Sequence, residues 1–180
     1  MSNSIIEILK NGGVGVLLTD TLYGLVGPAL NKKTVNRIYK IKGRNDKKPL
    51  IVLISSTEDL KIFGIIIDDK IKKQLKNFWP GPVSVILPCQ IKKLEYLHRG
   101  IETLAFRLPN KRSLLEVIKK TGPLAAPSAN PEGLPPAQNI KEAKLYFGDK
   151  VDFYIKGSQP KNKPSILIKI DKGRVIVLRK

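Results

Sequence analysis

Two hydroxyls, a carboxylate and a phenol fall within the run Thr19-Asp20-Thr21-Leu22-Tyr23-Gly24-Leu25, directly after the apolar stretch at residues 14–18. Groups of that kind can orient a polar substrate, and Gly24 lets the backbone turn. The same residues also suit an ordinary turn, in which Asp20 and Thr21 cap loop amides and Tyr23 packs. A second cluster is Lys40-x-Lys42-Gly43-Arg44, followed by Lys47-Lys48-Pro49-Leu50. It offers one planar guanidinium fork and several mobile point charges, the equipment of a phosphate clamp. Lysines that close a helix and complement its dipole give the same pattern. In Thr103-Leu104-Ala105-Phe106-Arg107-Leu108-Pro109, alternation puts Thr103, Ala105 and Arg107 on one strand face. An arginine on a strand flanked by helices needs an anion, whereas one on a solvent-facing edge does not. Last, Pro123-Leu124-Ala125-Ala126-Pro127-Ser128-Ala129-Asn130-Pro131 delivers a hydroxyl and an amide into a loop stiffened by prolines. Such rigidity fits a preorganised polar site.

The elements that must hold these clusters can be read from periodicity. Helices are expected at the N-terminus from Ser4, over residues 32–42 between Asn31 and Gly43, and over 69–78. Two more are expected over 111–120 after Asn110 and from Asn139 onward. Ser55 with Glu58, and Asn139 with Glu142, have capping-box spacing. Strands are expected at 14–18, 50–54, 83–87, 103–108, 124–126, 151–156, 165–170 and 174–178, the last two joined by Asp171-Lys172-Gly173. Strands and helices interleave early and strands cluster late. The expected fold is therefore α/β: a single domain over residues 1–180 with a twisted mixed β-sheet and flanking helices.

Composition narrows the function classes. With 180 residues and 42% hydrophobic content the chain can bury a sizeable core. No apolar run approaches the roughly 18 residues that cross a bilayer, and residues 1–10 lack the features of a secretory signal. The expected location is the cytoplasm, without a membrane partner. One cysteine, Cys89, excludes an internal disulfide and a multi-cysteine zinc site. The formal charge of +18 rests on 33 basic residues, 26 of them lysine. It suits a polyanionic partner such as nucleotide, pyrophosphate or RNA, and equally a lysine-rich genome composition. Phosphate-loop, complete dinucleotide and H-E-x-x-H signatures are missing. His98, the only histidine, reads as structural, and Cys89 as a small buried residue.

In order and type, the four clusters resemble the YrdC-like family, the threonylcarbamoyl-AMP synthases. The family pattern P-T-[D/E]-T-x-Y-G-L is matched from Thr19 to Leu25, and K-G-R followed by P-L at Lys42–Arg44 and Pro49-Leu50. T-x-A-x-R-x-P is matched from Thr103 to Pro109, and A-P-S-A-N from Ala126 to Asn130. The resemblance implies a basic concave cavity in which L-threonine, bicarbonate and ATP, with Mg²⁺, become threonylcarbamoyl-adenylate and pyrophosphate. A tRNA threonylcarbamoyl-transferase complex would take the product for a tRNA modification (t6A), and direct RNA binding is a further implied partner. By position, Thr21, Arg107 and Ser165 would hold threonine. Lys42, Arg44, Lys48, Thr103, Ala126, Ser128, Asn130, Pro136 and Arg179 would line the ATP pocket, with Lys42 and Arg44 neutralising phosphate charge; no protein side chain is assigned as a metal ligand.

Leu18 replaces the family's usual proline, Leu53 stands where some longer members carry a histidine, and Ile166 follows Ser165 where a threonine often does. The chain ends soon after Arg179, as in the short form of the family without an added C-terminal domain. Two other classes fit parts of the sequence. One is a basic double-stranded RNA-binding module without catalysis, supported by the charge. The other is a carbamoyl-transfer enzyme of the hydrogenase-maturation type, whose further domains are not found in this sequence.

Overall fold

The computed structural model describes residues 3–158, 163–171 and 173–180. In chain order the elements are α1 (Asn3–Lys10), β1 (Gly15–Leu18), β2 (Tyr23–Pro28), α2 (Lys32–Lys42), β3 (Ile51–Leu53) and a 3₁₀ turn at Thr57–Phe63. Then come α3 (Asp69–Leu75), β4 (Val83–Pro88), a 3₁₀ turn at Lys92–Leu94, α4 (Glu95–His98), β5 (Thr103–Arg107) and α5 (Arg112–Thr121). The chain closes with β6 (Leu124–Ala125), α6 (Ile140–Phe147), a 3₁₀ turn at Gly148–Lys150, β7 (Phe153–Ile155), β8 (Ile166–Asp171) and β9 (Arg174–Arg179).

The strands form one sheet in the order β7-β1-β2-β6-β3-β5-β4-β8-β9. The pairs β1/β7, β3/β5 and β4/β8 are parallel and the other five antiparallel, so the sheet is mixed, as expected. Its central strands are apolar on both faces because both faces are covered. On one, Leu17, Val26, Leu53 and Leu124 pack against Leu9 of α1 and Leu114, Val117 and Ile118 of α5. On the other, Val16, Leu25, Val52, Val85 and Phe106 pack with Val35 and Ile38 of α2, Leu97 of α4 and Phe147 of α6.

Local signals set most of the boundaries. Asn31 caps α2 by accepting from the Thr34 amide at 3.2 Å, and Gly43 ends it in the left-handed region at φ 59. Asn139 caps α6 through the Glu142 amide. Elsewhere the structure departs from the sequence reading. Tyr23–Pro28 is a strand that periodicity did not reveal, because Gly24, Gly27 and Pro28 dilute its β signal. Asn110 does not cap α5; its amide donates to Asp20 Oδ2 at 3.1 Å, and Lys111 takes the cap position. The capping box is Ser56 with Asp59 in place of Ser55 with Glu58; the Asp59 carboxylate accepts from the Ser56 amide at 3.4 Å and also from the Ser55 amide and hydroxyl at 2.7 and 2.9 Å. Helix α3 stops at Leu75, whose carbonyl accepts from both Phe78 and Trp79 amides. Of the β8–β9 turn, Lys172 lies outside the described residues.

His98 is a satisfied core histidine: Nδ1 accepts from the Gly100 amide at 3.2 Å, which leaves Nε2 to face Ile91 O at 3.4 Å. Cys89 is buried, and burial pushes its thiol up. Among the described residues no group of three His, Cys, Asp or Glu could hold a metal ion. No described helix is long and apolar enough to cross a membrane.

Gly15 of β1 pairs with Phe153 of β7, whose ring fills the space a side chain at residue 15 would take. Gly15→Val is expected to destabilise by about 1–3 kcal/mol through overpacking. Thermal unfolding reads this as a lowered Tm; an unchanged Tm would show that the ring moves aside freely.

Candidate active site

The turn between β1 and β2 is built by its threonines. Thr19 Oγ1 donates to Leu22 O at 2.8 Å and accepts from the Thr21 amide at 3.2 Å. With its proton so committed, Thr19 must be the acceptor in the 3.1 Å contact between the two hydroxyls. Thr21 Oγ1 in turn accepts from Arg107 Nη1 at 3.0 Å. A relay of donors therefore runs from Arg107 through Thr21 and Thr19 to a backbone carbonyl, each bond polarising the next.

Arg107 stands at the end of β5 with its side chain 5% exposed. Asp20 Oδ1 approaches its Nη2 at 3.2 Å, but not in line for a hydrogen bond, so the contact is an ion pair alone. Arg107 Nε is buried with no partner among the described residues. Burial drives the guanidinium's proton affinity down, Asp20 opposes this, and Arg179 adds to it.

The proline-bounded loop after β6 docks against β2. Leu25 donates to Pro127 O and Ala129 to Tyr23 O, at 2.9 and 2.8 Å, with a bridge between Gly24 and Ser128. Lys42, at the end of α2, pins this loop from behind. The residue is 3% exposed, and its ammonium donates to Ser128 O at 2.6 Å, Asn130 O at 2.5 Å and Asn130 Oδ1 at 3.3 Å. Those three acceptors use all three of its protons. Ser128 Oγ donates to Asn130 Oδ1 at 2.6 Å, and Asn130 Nδ2 to Leu134 O at the same distance. On the far side Ser165 is buried against Ser84, Oγ to Oγ 2.9 Å, and Arg179 Nη2 donates to Ser165 O at 2.8 Å.

These elements enclose a cleft of 240 Å³. Of the residues expected in a site, Thr21, Arg107, Ala126, Ser128, Pro136, Ser165 and Arg179 line it. Lys42 and Asn130 sit behind the wall as the loop's supports. Arg44 lies beside the cleft, its Nε and Nη2 donating to Lys48 O and Pro49 O at 3.0 Å each. Lys48 pairs with Glu132 at 2.6 Å. Thr103 is at the other end of β5 from Arg107, about 13 Å away along the strand, and does not line the cleft.

Like charges link these groups. Lys42 is pushed down to about 8 by burial and by Arg44, against the pull of Glu132. Arg179 is pushed down by burial and by Arg44. Arg107, Arg179, Arg44 and Lys42 thus form a run of cations that repel one another, while among the described residues no carboxylate lines the cleft. The site is charged for a polyanion.

Two further residues have structural roles here: Asp20, which the sequence offers as a cap of loop amides, and Lys111, which it does not single out. Asp20 ties Arg107 to the β5–α5 connection through its ion pair and its bond to the Asn110 amide. Lys111 donates to Leu18 O at 2.6 Å, holding the turn from outside. A lysine at a helix N-cap runs against the helix dipole, and that anomaly was the available signal.

A family model described as "Telomere recombination" (Sua5/YciO/YrdC) matches residues 7–180. The chain belongs to the Sua5/YciO/YrdC family. It is 33% identical to a threonylcarbamoyl-AMP synthase of Pyrococcus abyssi over 152 residues, 84% of this chain and 45% of that protein. It is 39% identical to that of Bacillus subtilis over 130 residues, 71% of this chain and 38% of that protein. The chain therefore spans less than half the length of these two relatives. With the threonylcarbamoyl-AMP synthase of Marinobacter nauticus it shares 30% identity, covering 91% of this chain and 87% of the other. The crystal structure of P. abyssi Sua5 complexed with L-threonine superposes with a TM-score of 0.89 at 30% identity, covering 98% of this chain and 52% of that one. E. coli YciO gives 0.87 at 24% identity, covering 99% and 87%, a likeness of fold. The α/β family fold expected from sequence is the one found.

Lys42 binds its proton less tightly folded than unfolded. Its contribution to stability is therefore fully present above its unfolded value and is lost as pH falls through about 8. The stability of the native protein relative to Lys42→Met should rise as pH increases from about 8 toward 10. Lys42→Met should itself cost about 1–3 kcal/mol at neutral pH by leaving buried carbonyls unpaired. Urea unfolding across that range checks both; a pH-independent difference would mean that Lys42 titrates normally.

Proposed function

We propose that this chain is a threonylcarbamoyl-adenylate synthase acting on L-threonine, bicarbonate and ATP. The observation that carries the reading is the run of mutually repelling cations at a cleft whose lining includes Thr21, Ser165 and Ser128 but no carboxylate. A triphosphate relieves that repulsion, and an amino-acid carboxylate satisfies Arg107, whose Nε has no protein partner. The relatives named threonylcarbamoyl-AMP synthase, and the Sua5 complex with L-threonine, support the same assignment.

In this mechanism the threonine amine takes up the one-carbon unit of bicarbonate, losing water, to form a carbamate. A carbamate oxygen attacks the α-phosphorus, the bond to the β-phosphate oxygen breaks, and pyrophosphate leaves. The protein's contribution is position and charge. Arg107 and Thr21 orient the amino acid, while the Ser128 loop and Arg179 face the nucleotide. Arg44 can turn from its loop carbonyls to the phosphates. Lys42 acts here as a positioning residue, since its protons are already given to the loop. Mg²⁺ would travel on the triphosphate, because the cleft lining offers hydroxyls and cations and no carboxylate ligand. The labile adenylate would pass to a tRNA threonylcarbamoyl-transferase complex in the cytoplasm.

Purified protein with ATP, Mg²⁺ and bicarbonate should release pyrophosphate with L-threonine and not with L-serine, and mass spectrometry should show the new adenylate. Threonine-independent release, or none, would refute the assignment. Arg44→Ala should abolish adenylate formation in a protein that still folds; a folded, active variant would remove Arg44 from the phosphate-binding set.

A further inference from the structure

Outside the reaction cleft, Lys32, Asn36 and Lys40 of α2 follow one another at four-residue spacing and stand in a row on its exposed side. Arg99 lies across that row. It occupies the left-handed region at φ 52, a conformation a non-glycine residue adopts only when its surroundings hold it there. Its guanidinium carbon lies 3.9 Å from the centroid of the Tyr39 ring, and Nη2 donates to Asn36 Oδ1 at 3.2 Å. The nearest carboxylate, Asp46, is 4.0 Å from Nη1 and 78% exposed. Arg99 Nε is buried without a partner among the described residues. The fork is thus fixed in place and only weakly neutralised.

Two grooves, of 610 and 500 Å³, meet at Arg99 and share Asn36 and Asp46. Lys32, Lys47, Lys92 and Lys93 line the first; Lys40 and Arg44 line the second. Among the described residues lining the two grooves, only Asp46 and Glu95 stand against these cations. We propose that this groove is a second anion site, built to take a chain of linked phosphates along the outer side of α2.

The shape of the charge distribution selects the ligand. Cations strung along a groove match charges repeated along a chain, whereas a single small anion needs them to converge. The aromatic groups are already engaged: Arg99 covers Tyr39, and the Tyr96 hydroxyl donates to Ala29 O at 3.1 Å. Nucleobases therefore find no free stacking platform on Tyr39, and recognition falls on phosphate oxygens. An oligophosphate and the backbone of an RNA strand share this chemistry. The groove reaches Arg44, which also faces the cations of the reaction cleft, so a strand bound here would end beside it.

The test uses tripolyphosphate by calorimetry and a short labelled RNA by fluorescence anisotropy, each over a salt series. Two variants probe the groove, Arg99→Gln and the exposed double Lys92→Gln/Lys93→Gln. A third, Lys72→Gln/Lys73→Gln, removes the same charge as that double from α3. Both groove variants should weaken binding about tenfold or more and flatten the salt dependence by roughly one unit of slope per cation removed. The α3 control should bind nearly as the native protein does. Loss for both ligands identifies a free oligophosphate as sufficient; loss for RNA alone identifies a strand. No binding by the native protein, unchanged binding by the groove variants, or equal loss in the α3 control would overturn the site. Threonine-dependent pyrophosphate release should be unchanged in all three variants, so this test stands apart from that of the catalytic assignment.

Discussion

A guanidinium at the end of a buried central strand is tolerable only if its charge and its donors are met, and Arg107 imposes that condition on everything near it. Strand β5 lies between β3 and β4, away from either sheet edge, and Arg107 is buried, so its partners in the free protein come from neighbouring elements. Asp20 provides the counter-charge and Thr21 an acceptor, which fixes the β1–β2 turn against the strand end. The second oxygen of Asp20 holds the Asn110 amide, and Lys111 holds Leu18 O. Two connections, the β1–β2 turn and the segment from β5 to α5, are thereby locked around one cation. Removing a single partner of such a buried pair typically costs about 3–5 kcal/mol, which is why the arrangement is rigid before any ligand arrives.

Lys42 does a matching task on the other wall. A loop bounded by Pro127 and Pro131 has few backbone donors of its own, and three of its acceptors point at one buried ammonium. The ammonium satisfies the loop's acceptors, while burial and Arg44 disfavour its charge and Glu132 favours it. Arg44 and Arg179 then add positive charge at the mouth, which Glu132, paired with Lys48, offsets only in part. The protein bears this repulsion in the free state, and it is the same repulsion that favours a polyphosphate in the bound state. Stability spent on charge crowding reappears as affinity.

Several elements were legible locally. Asn31 and Gly43 bracket α2 because a capping side chain and a left-handed glycine act through neighbours in sequence. The alternation at Thr103–Arg107 put Arg107 opposite Phe106 because a strand has a period of two. Strand β2 was not legible: Gly24, Gly27 and Pro28 are poor strand formers, and only pairing with β1 and β6 makes them one. The capping box sits one residue further on than expected, Ser56 with Asp59 in place of Ser55 with Glu58, at the same three-residue spacing.

By its own residues the sequence determined the class of the fold, the clusters that carry chemistry and the family to which they belong, since these follow from periodicity and from motif order. Tertiary structure alone decided how the cationic groups divide their work. Lys42 and Arg44 are two residues apart and looked alike as phosphate clamps, yet one is buried under a loop and the other stands beside the cleft. Thr103 and Arg107 share a strand face but lie at opposite ends of it. Asp20 and Arg107 meet across 87 residues of chain. Burial, counter-charge and the direction of a donor depend on elements distant in sequence, and no local pattern encodes them.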